Sequence, residues 1–85
     1  MTTAKIFYFY IVRCADNSLY SGITTNLKRR VEEHNSDKLG ARYTRSKQPV
    51  QLIYNETFSS KSLALKREWE VKKMTKKEKE LLLAL

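Results

Sequence analysis

The sequence has 85 residues, with 17 lysines and arginines against 9 aspartates and glutamates, so its formal net charge at pH 7 is +8. This charge favours polyanionic partners such as DNA or RNA, because their binding releases condensed counterions. The basic residues are spread along the chain, which argues against a membrane-surface helix. The length and the 41% apolar content predict one small domain, residues 1–85, and exclude two separate cores.

Cysteine content and the longest apolar run exclude further classes. Cys14 is the only cysteine, so the sequence excludes an intrachain disulfide and a cysteine-rich zinc site and predicts a reducing, cytoplasmic location. The apolar run over residues 6–12 is far shorter than the roughly 20 residues of a membrane helix. We therefore expect neither an anchor nor a signal peptide.

The first two predicted elements form a β-hairpin. Residues 6–12 are all β-branched or aromatic, residues 16–18 supply turn chemistry, and a second strand follows over residues 19–23. A two-residue loop would place Tyr10 and Tyr20 on opposite faces of the sheet, whereas one extra loop residue or a bulge would bring them to the same face. A site shared by these two tyrosines therefore needs that irregularity.

The rest of the chain predicts three helices and a third strand. The first helix covers about residues 27–36, with N-caps available from residues 24–26. A cationic loop over residues 37–49 separates it from a strand over residues 51–58. Ser59 or Ser60 can cap a second helix that runs to about Met74, and Thr75 with Glu78 matches a capping box that opens the last helix. The predicted class is α+β, a small three-stranded antiparallel sheet flanked by helices in the order β-β-α-β-α-α.

Polar side chains occupy the inward faces of the first two predicted helices. At about 100° per residue, Arg30 and His34 share a stripe with Leu27 and Val31. The same step places Glu68 inside an apolar arc on the second helix, with Leu65 and Trp69 on one side and Ala64 and Val71 on the other. A carboxylate in such a position must be paired, protonated or bound to a cation, because an unpaired buried charge is costly.

These residues, in this order, resemble the GIY-YIG nuclease superfamily, and in particular its small stand-alone bacterial proteins. The segment Tyr8-Phe9-Tyr10 stands in the place of the family's first tripeptide, and Tyr20-Ser21-Gly22 in the place of the second. Arg30, His34 and Glu68 then follow in the family's order. Residues 40–45 and 65–69 also resemble the stand-alone branch and the related catalytic subunits of structure-specific endonucleases.

The resemblance implies a metal-dependent phosphodiesterase that cuts DNA in a single in-line displacement. Glu68 would hold one divalent ion, Mg²⁺ or Mn²⁺, and Arg30 would bind the scissile phosphate. A phenolate of Tyr10 or Tyr20, or a water bound to one of them, would deliver the nucleophile, which requires a phenol pKa below its ordinary value near 10. Two further matched residues complete the predicted site: His34, which would relay the proton or contact a phosphate, and Gly22, which would let the chain approach the substrate or turn sharply.

The sequence departs from the family pattern at three positions. Tyr8 replaces the first glycine, Ser21 replaces the central isoleucine of the second tripeptide, and Ile23 lies where some members carry a basic residue that helps to activate the tyrosine. No segment resembles the DNA-recognition domains of larger members. Low sequence specificity is therefore expected.

Simpler roles stay open for several of these residues. Arg30 can pair with Glu33 or with Glu68, and Asn35 can cap the first helix or touch the site. The cations of the loop are predicted to contact phosphates, although a solvated loop has the same composition; they are Lys38, Arg42, Arg45 and Lys47.

The leading hypothesis is a Mg²⁺-dependent DNA endonuclease that acts on branched, nicked or single-stranded DNA in repair or recombination. The first alternative is a nucleic-acid-binding module without turnover. The second is a nuclease subunit that cleaves only when a protein partner presents the DNA.

Overall fold

The computed structural model describes residues 5–36, 44 and 46–84. Its helices and strands, in chain order, are β1 (Phe7–Arg13), β2 (Leu19–Thr24), α1 (Leu27–His34), β3 (Gln51–Phe58), α2 (Lys61–Lys72) and α3 (Lys76–Leu83). The three strands form one antiparallel sheet with β1 in the centre. The predicted α+β class and the order β-β-α-β-α-α are confirmed. No helix in the described part of the chain is long and apolar enough to cross a membrane.

The β1–β2 hairpin brings the two candidate tyrosines to one face of the sheet. Tyr10 lies opposite Gly22, and Val12 lies opposite Tyr20. Paired residues of antiparallel strands share a face, as do residues two apart on one strand. Tyr10 and Tyr20 therefore project to the same side, as a shared site requires.

The loop of the hairpin supplies the extra residue that this register needs. The backbone N–H of Cys14 donates to the Ser18 carbonyl at 2.8 Å, and the N–H of Asn17 donates to the Cys14 carbonyl at 2.9 Å. Asn17 has a φ of 70°, in the left-handed region that asparagine tolerates better than most residues. A turn followed by one left-handed residue is a common three-residue hairpin connection, and the prediction of one extra loop residue is confirmed.

Side-chain caps set the helix boundaries. The Asn26 side chain accepts from the backbone N–H of Arg29 and opens α1, while Ser60 opens α2. The predicted capping box of Thr75 and Glu78 is present at the start of α3. The first helix ends two residues earlier than predicted, because the Asn35 side chain is hydrogen-bonded to the backbone N–H and C=O of Val50, at 2.7 and 3.1 Å.

The two faces of β1 pack against different helices. On one face, Phe9 and Ile11 are buried with Val71 of α2 and with side chains of α3. On the other face, Tyr10 and Val12 are buried with Cys14 and Val50, and side chains of α1 pack against them. The sheet is therefore the middle of three layers.

The predicted apolar arc around Glu68 is only half correct. Ala64 and Val71 are buried, but Leu65 is 43% exposed and Trp69 is 60% exposed. A helix that rests on a small sheet buries one narrow stripe, and here Ala64 and Val71 form its centre. Glu68 lies at the edge of this stripe, with its side chain 19% exposed.

Candidate active site

A chain of hydrogen-bonded side chains crosses the α1 face of the sheet. The Tyr10 hydroxyl lies 2.7 Å from Nε2 of His34, and Nδ1 of His34 lies 2.8 Å from Oγ1 of Thr44. Nε of Arg30 donates a longer hydrogen bond, 3.4 Å, to the Tyr10 hydroxyl. Tyr10, His34 and Thr44 are each no more than 1% exposed, so this network is shielded from water.

The chemistry of these groups fixes the direction of the hydrogen bonds. Arginine can only donate, so the Tyr10 oxygen accepts from Arg30. The buried hydroxyl then donates to Nε2 of His34, because a second accepted bond would leave its hydrogen without a partner. Burial, together with the nearby Arg30 charge, lowers the pKa of His34 to about 4, and its ring is therefore neutral at pH 7. A neutral ring that accepts at Nε2 carries its hydrogen at Nδ1 and donates to Thr44.

The expectation that the site lowers the pKa of its tyrosine is wrong for Tyr10. Burial of the phenol raises its pKa, and this effect outweighs the hydrogen bond and the positive charge of Arg30, which lower it. The negative charge of Glu68 adds to the increase. Desolvation disfavours the charged phenolate, so Tyr10 is a neutral hydrogen-bond donor in this state of the protein.

Tyr20 is placed differently from Tyr10, although both project from the same face. It is half-buried, and its ring forms a T-shaped pair with the His34 ring at a centroid distance of 5.2 Å. The Tyr10 ring crosses Gly22, where a Cβ atom would lie 2.7 Å from the Tyr10 hydroxyl oxygen. Gly22 therefore makes room for the phenol, a reason that differs from the predicted approach to substrate or sharp turn.

Arg30 is held between a phenol and a carboxylate. Besides its bond to Tyr10, it donates from Nη1 to Glu33 at 2.9 Å. Of the two partners that the sequence left open, the structure thus provides Glu33. The Arg30 side chain is 26% exposed, so it joins the buried network to the surface.

The link between Glu68 and Tyr10 is electrostatic. Glu68 belongs to α2, which packs on the Phe9 face, yet its charge acts on the Tyr10 phenol. Lys72, one turn later, lies 3.7 Å from its carboxylate. Arg30 thus meets the Tyr10 phenol directly, whereas the meeting of Glu68 with these groups stays a prediction.

The donor chemistry of Glu68 suits a hard divalent cation. A partly exposed carboxylate offers oxygen ligands and leaves space for water, which Mg²⁺ retains in most protein sites. In the described ranges, no three histidine, cysteine, aspartate or glutamate side chains cluster closely enough to hold a metal together. A metal here would therefore rest on Glu68 and water molecules.

The structure describes one of the four predicted phosphate-binding cations. Lys47 forms an ion pair with Asp16 at 2.6 Å, and its carbonyl accepts from the backbone N–H of Ala15 at 2.9 Å. It thereby ties the segment before β3 to the hairpin loop. Predictions for the other three lie outside the described residues; they are Lys38, Arg42 and Arg45.

Sequence reasoning missed Thr44 and assigned no definite role to Asn35. Thr44 is fully buried and orients the His34 ring. Asn35 both ends α1 and, through Val50, anchors the start of β3. Thr44 is helical in the structure, so the prediction of a loop is wrong at this residue. Only its position among residues 40–45, which resemble the stand-alone branch, pointed to it.

Comparison with known proteins agrees with this arrangement. Residues 6–81 match the family model described as the GIY-YIG catalytic domain. The UPF0213 protein DP2720 of Desulfotalea psychrophila is 53% identical over 74 residues, which are 87% of this chain and 67% of that protein. The UPF0213 protein YazA of Bacillus subtilis is 50% identical over 74 residues, which are 87% of this chain and 74% of that protein.

Two solution NMR structures are similar in fold. The UPF0213 protein BH0048 of Bacillus halodurans superposes with a TM-score of 0.61 at 42% identity, over 93% of this chain and 83% of that one. The protein EF2693 of E. faecalis superposes with a TM-score of 0.64 at 44% identity, over 99% of this chain and 88% of that one. With a family model that spans nearly the whole sequence, the chain belongs to the GIY-YIG catalytic domain family.

Proposed function

We propose that this protein is a divalent-metal-dependent DNA endonuclease of low sequence specificity. The observation that carries the proposal is that Arg30 donates to the hydroxyl of Tyr10, which lies 2.7 Å from His34 in a buried network. A cationic phosphate ligand, a tyrosine and a carboxylate that can hold a metal are the groups that hydrolysis of a phosphodiester needs. Membership of a family of nuclease catalytic domains supports the same reaction.

Arg30 binds the scissile phosphate in this proposal. Its guanidinium is oriented by Tyr10 and Glu33 before substrate arrives, which reduces the entropy that binding costs. Its planar array of donors matches a phosphate better than a lysine ammonium does. When bound at Glu68, the cation supplies positive charge for the phosphate and the leaving oxygen.

We assign different roles to the two tyrosines. Tyr20 is half-buried and contacts the attacking water, whereas Tyr10 is 1% exposed and holds Arg30 and His34 in place. His34 is neutral at pH 7 and accepts a hydrogen bond from the Tyr10 hydroxyl. The network therefore holds the phenol in position without placing a charge on the imidazole. The cations predicted to contact phosphates, including Lys38 and Arg42, attach the protein to the DNA backbone without reading bases.

The proposal is tested by cleavage assays on single-stranded, nicked and branched DNA with Mg²⁺ or Mn²⁺. We expect Glu68→Gln to lower the cleavage rate by at least about a hundredfold, because it removes the carboxylate charge that holds the metal. Glu70→Gln is the matched control, since Glu70 is an exposed carboxylate on the same helix. If Glu68→Gln cleaves as fast as the parent, the assigned mechanism is wrong.

A second candidate function is a nucleic-acid-binding module without turnover. The raised pKa of Tyr10 favours it, as does Ile23 in a position where some members of the family carry a basic residue. This candidate gives salt-sensitive DNA binding with no metal-dependent product on any of the three substrates. Cleavage that appears only after a copurifying protein is added would instead identify a partner-dependent subunit acting in repair or recombination.

A further inference from the structure

Trp69 is unusually exposed for a large aromatic side chain. It is the only tryptophan of the chain and is 60% exposed. Leu65, one turn earlier, is 43% exposed. Exposed apolar side chains that adjoin each other on one helix mark binding surfaces more often than isolated ones do.

The position of Trp69 relates it to the candidate active site. At about 100° per residue, Lys72, Leu65, Trp69 and Lys73 follow one another around α2 from Glu68, on the side away from the buried stripe. Glu68 is thus the last residue of the buried edge, and the four others form an exposed ridge beside it. A ligand held on this ridge lies next to the Glu68 carboxylate.

The ridge combines an aromatic ring with positive charge. Nζ of Lys73 lies 3.3 Å from the centroid of the Trp69 ring, and Lys72 follows directly beside it. Proteins that bind single-stranded nucleic acid combine these two features, because a base stacks on the ring while cations hold the adjacent phosphates.

We propose that Trp69 is a stacking platform for an unpaired nucleobase of the substrate strand. The inference rests on the proposed function and specifies its substrate class, DNA with a single-stranded segment next to the scissile phosphate. The base takes the ring face that Lys73 covers, and the Lys73 ammonium moves to a flanking phosphate. Bases within a duplex already stack on their neighbours, so the platform selects strands that are unpaired.

A second copy of the chain fits this ridge poorly. The apolar part of the ridge consists of Leu65 and Trp69. Two side chains bury far less area than the roughly 800 Å² per partner of a stable interface. Lysines flank it, at Lys66 and Lys72 on α2 and at Lys73, which caps this helix, and like charges would face each other in a symmetric dimer. The net charge of +8 favours a polyanion at this surface.

The lone tryptophan makes the test direct, because its fluorescence reports only this site. We titrate the protein in a metal chelator with a single-stranded oligothymidine and with a hairpin duplex of equal phosphate count. We expect the single strand to quench the fluorescence strongly and the duplex to quench it weakly. In parallel, fluorescence anisotropy of labelled oligothymidine should show about tenfold weaker binding for Trp69→Ala.

Variants separate stacking from charge. Trp69→Phe should recover part of the affinity lost in Trp69→Ala, and Leu65→Ala, the matched apolar control, should lose much less. Lys73→Gln should reduce the slope of log affinity against log salt by about 0.7, the value for one phosphate contact on a single strand. Trp69→Ala should leave this slope unchanged, and circular dichroism checks that each variant is folded.

The proposal is overturned if folded Trp69→Ala binds single-stranded DNA as tightly as the parent. It is also overturned if the parent self-associates and Trp69→Ala abolishes this self-association. These measurements need no cleavage. If the parent cuts DNA while Trp69→Ala binds like the parent, the platform is wrong and the nuclease stands. If the parent never cuts, with or without a copurifying protein, but loses single-strand affinity with Trp69→Ala, the nuclease is wrong and the platform stands.

Discussion

Neighbouring residues of β1 project to opposite faces of the sheet and are held there by different interactions. Phe9 and Ile11 are buried among apolar side chains of α2 and α3, where packing alone holds them. Tyr10 is buried as deeply on the other face, but its hydroxyl is engaged by His34 and Arg30. Strand alternation therefore separates a packed core from a candidate site within one strand.

This contrast shows how 85 residues accommodate a buried polar network. A hydrogen bond adds little net stability, but a buried polar group without a partner costs much more. On the Tyr10 face the hydroxyl and both nitrogens of His34 have partners, and no buried side-chain nitrogen or oxygen of the described residues lacks one. The apolar face can then supply most of the stability while the polar face keeps its geometry.

The largest expected effect comes from the apolar face. Phe9→Ala should lower the free energy of unfolding by about 3 to 5 kcal/mol, because it removes a fully buried ring and leaves a cavity. Tyr10→Phe should cost about 1 to 2 kcal/mol, since it removes only the hydroxyl and leaves Nε2 of His34 without a donor. Urea unfolding of both variants gives the comparison. A larger loss in Tyr10→Phe would show that the polar face dominates stability.

The next expected effect is a pH dependence that belongs to the polar face. His34 has a pKa of about 4 in the folded protein and about 6.5 when unfolded, so between these values the unfolded chain binds more protons. Stability must therefore fall as pH decreases through this range. Between pH 7 and 4.5 we expect the free energy of unfolding to drop by roughly 2 to 3 kcal/mol from this group.

This pH range isolates His34 from the carboxylates. It is the only histidine of the chain, whereas Asp16, Glu78 and Glu80, whose pKa values are lowered, lose their stabilising charge mainly at lower pH. Urea unfolding at several pH values should show a slope in the parent and a much flatter profile in His34→Gln. Equal slopes in both proteins would exclude a buried, neutral imidazole.

Local patterns in the sequence predicted the elements of the fold and part of the site. Strand composition and turn chemistry located the hairpin, and the 3.6-residue period placed Arg30 and His34 on the buried side of α1. The same period failed for Leu65 and Trp69, because it shows which residues share a face but not how wide a stripe the sheet covers. The resemblance, rather than the period, connected Glu68 to the tyrosines.

Interactions between distant segments could not be predicted. The Thr44 bond to His34 and the Asn35 bonds to Val50 join residues that are 10 and 15 positions apart in the sequence, and such pairs leave no mark on local composition. The direction of the Tyr10 pKa shift was missed for a related reason. It depends on how far burial outweighs the Arg30 charge, and burial depth is a property of the assembled fold.

The prediction with the smallest expected effect tests why the Tyr10 face of the sheet carries a glycine at position 22. A Cβ atom at this position would lie 2.7 Å from the Tyr10 hydroxyl oxygen and 3.0 Å from Cζ, so Gly22→Ala forces the ring to move and should cost about 1 to 2 kcal/mol. In a Tyr10→Phe background the nearest atom is gone but the contact with Cζ remains, so the same substitution should cost about 1 kcal/mol less. The double-mutant cycle should therefore give a coupling energy of about 1 kcal/mol.

Ser21→Ala is the control for this cycle. Ser21 lies opposite Ile11 and so projects to the other face, where it should show no coupling to Tyr10→Phe because the two side chains are separated by the sheet. Equal costs of Gly22→Ala in both backgrounds would mean that the phenol does not explain the glycine. Coupling at Gly22 but not at Ser21 would show that the closely packed crossing of Tyr10 over β2 is confined to the face that carries the candidate site.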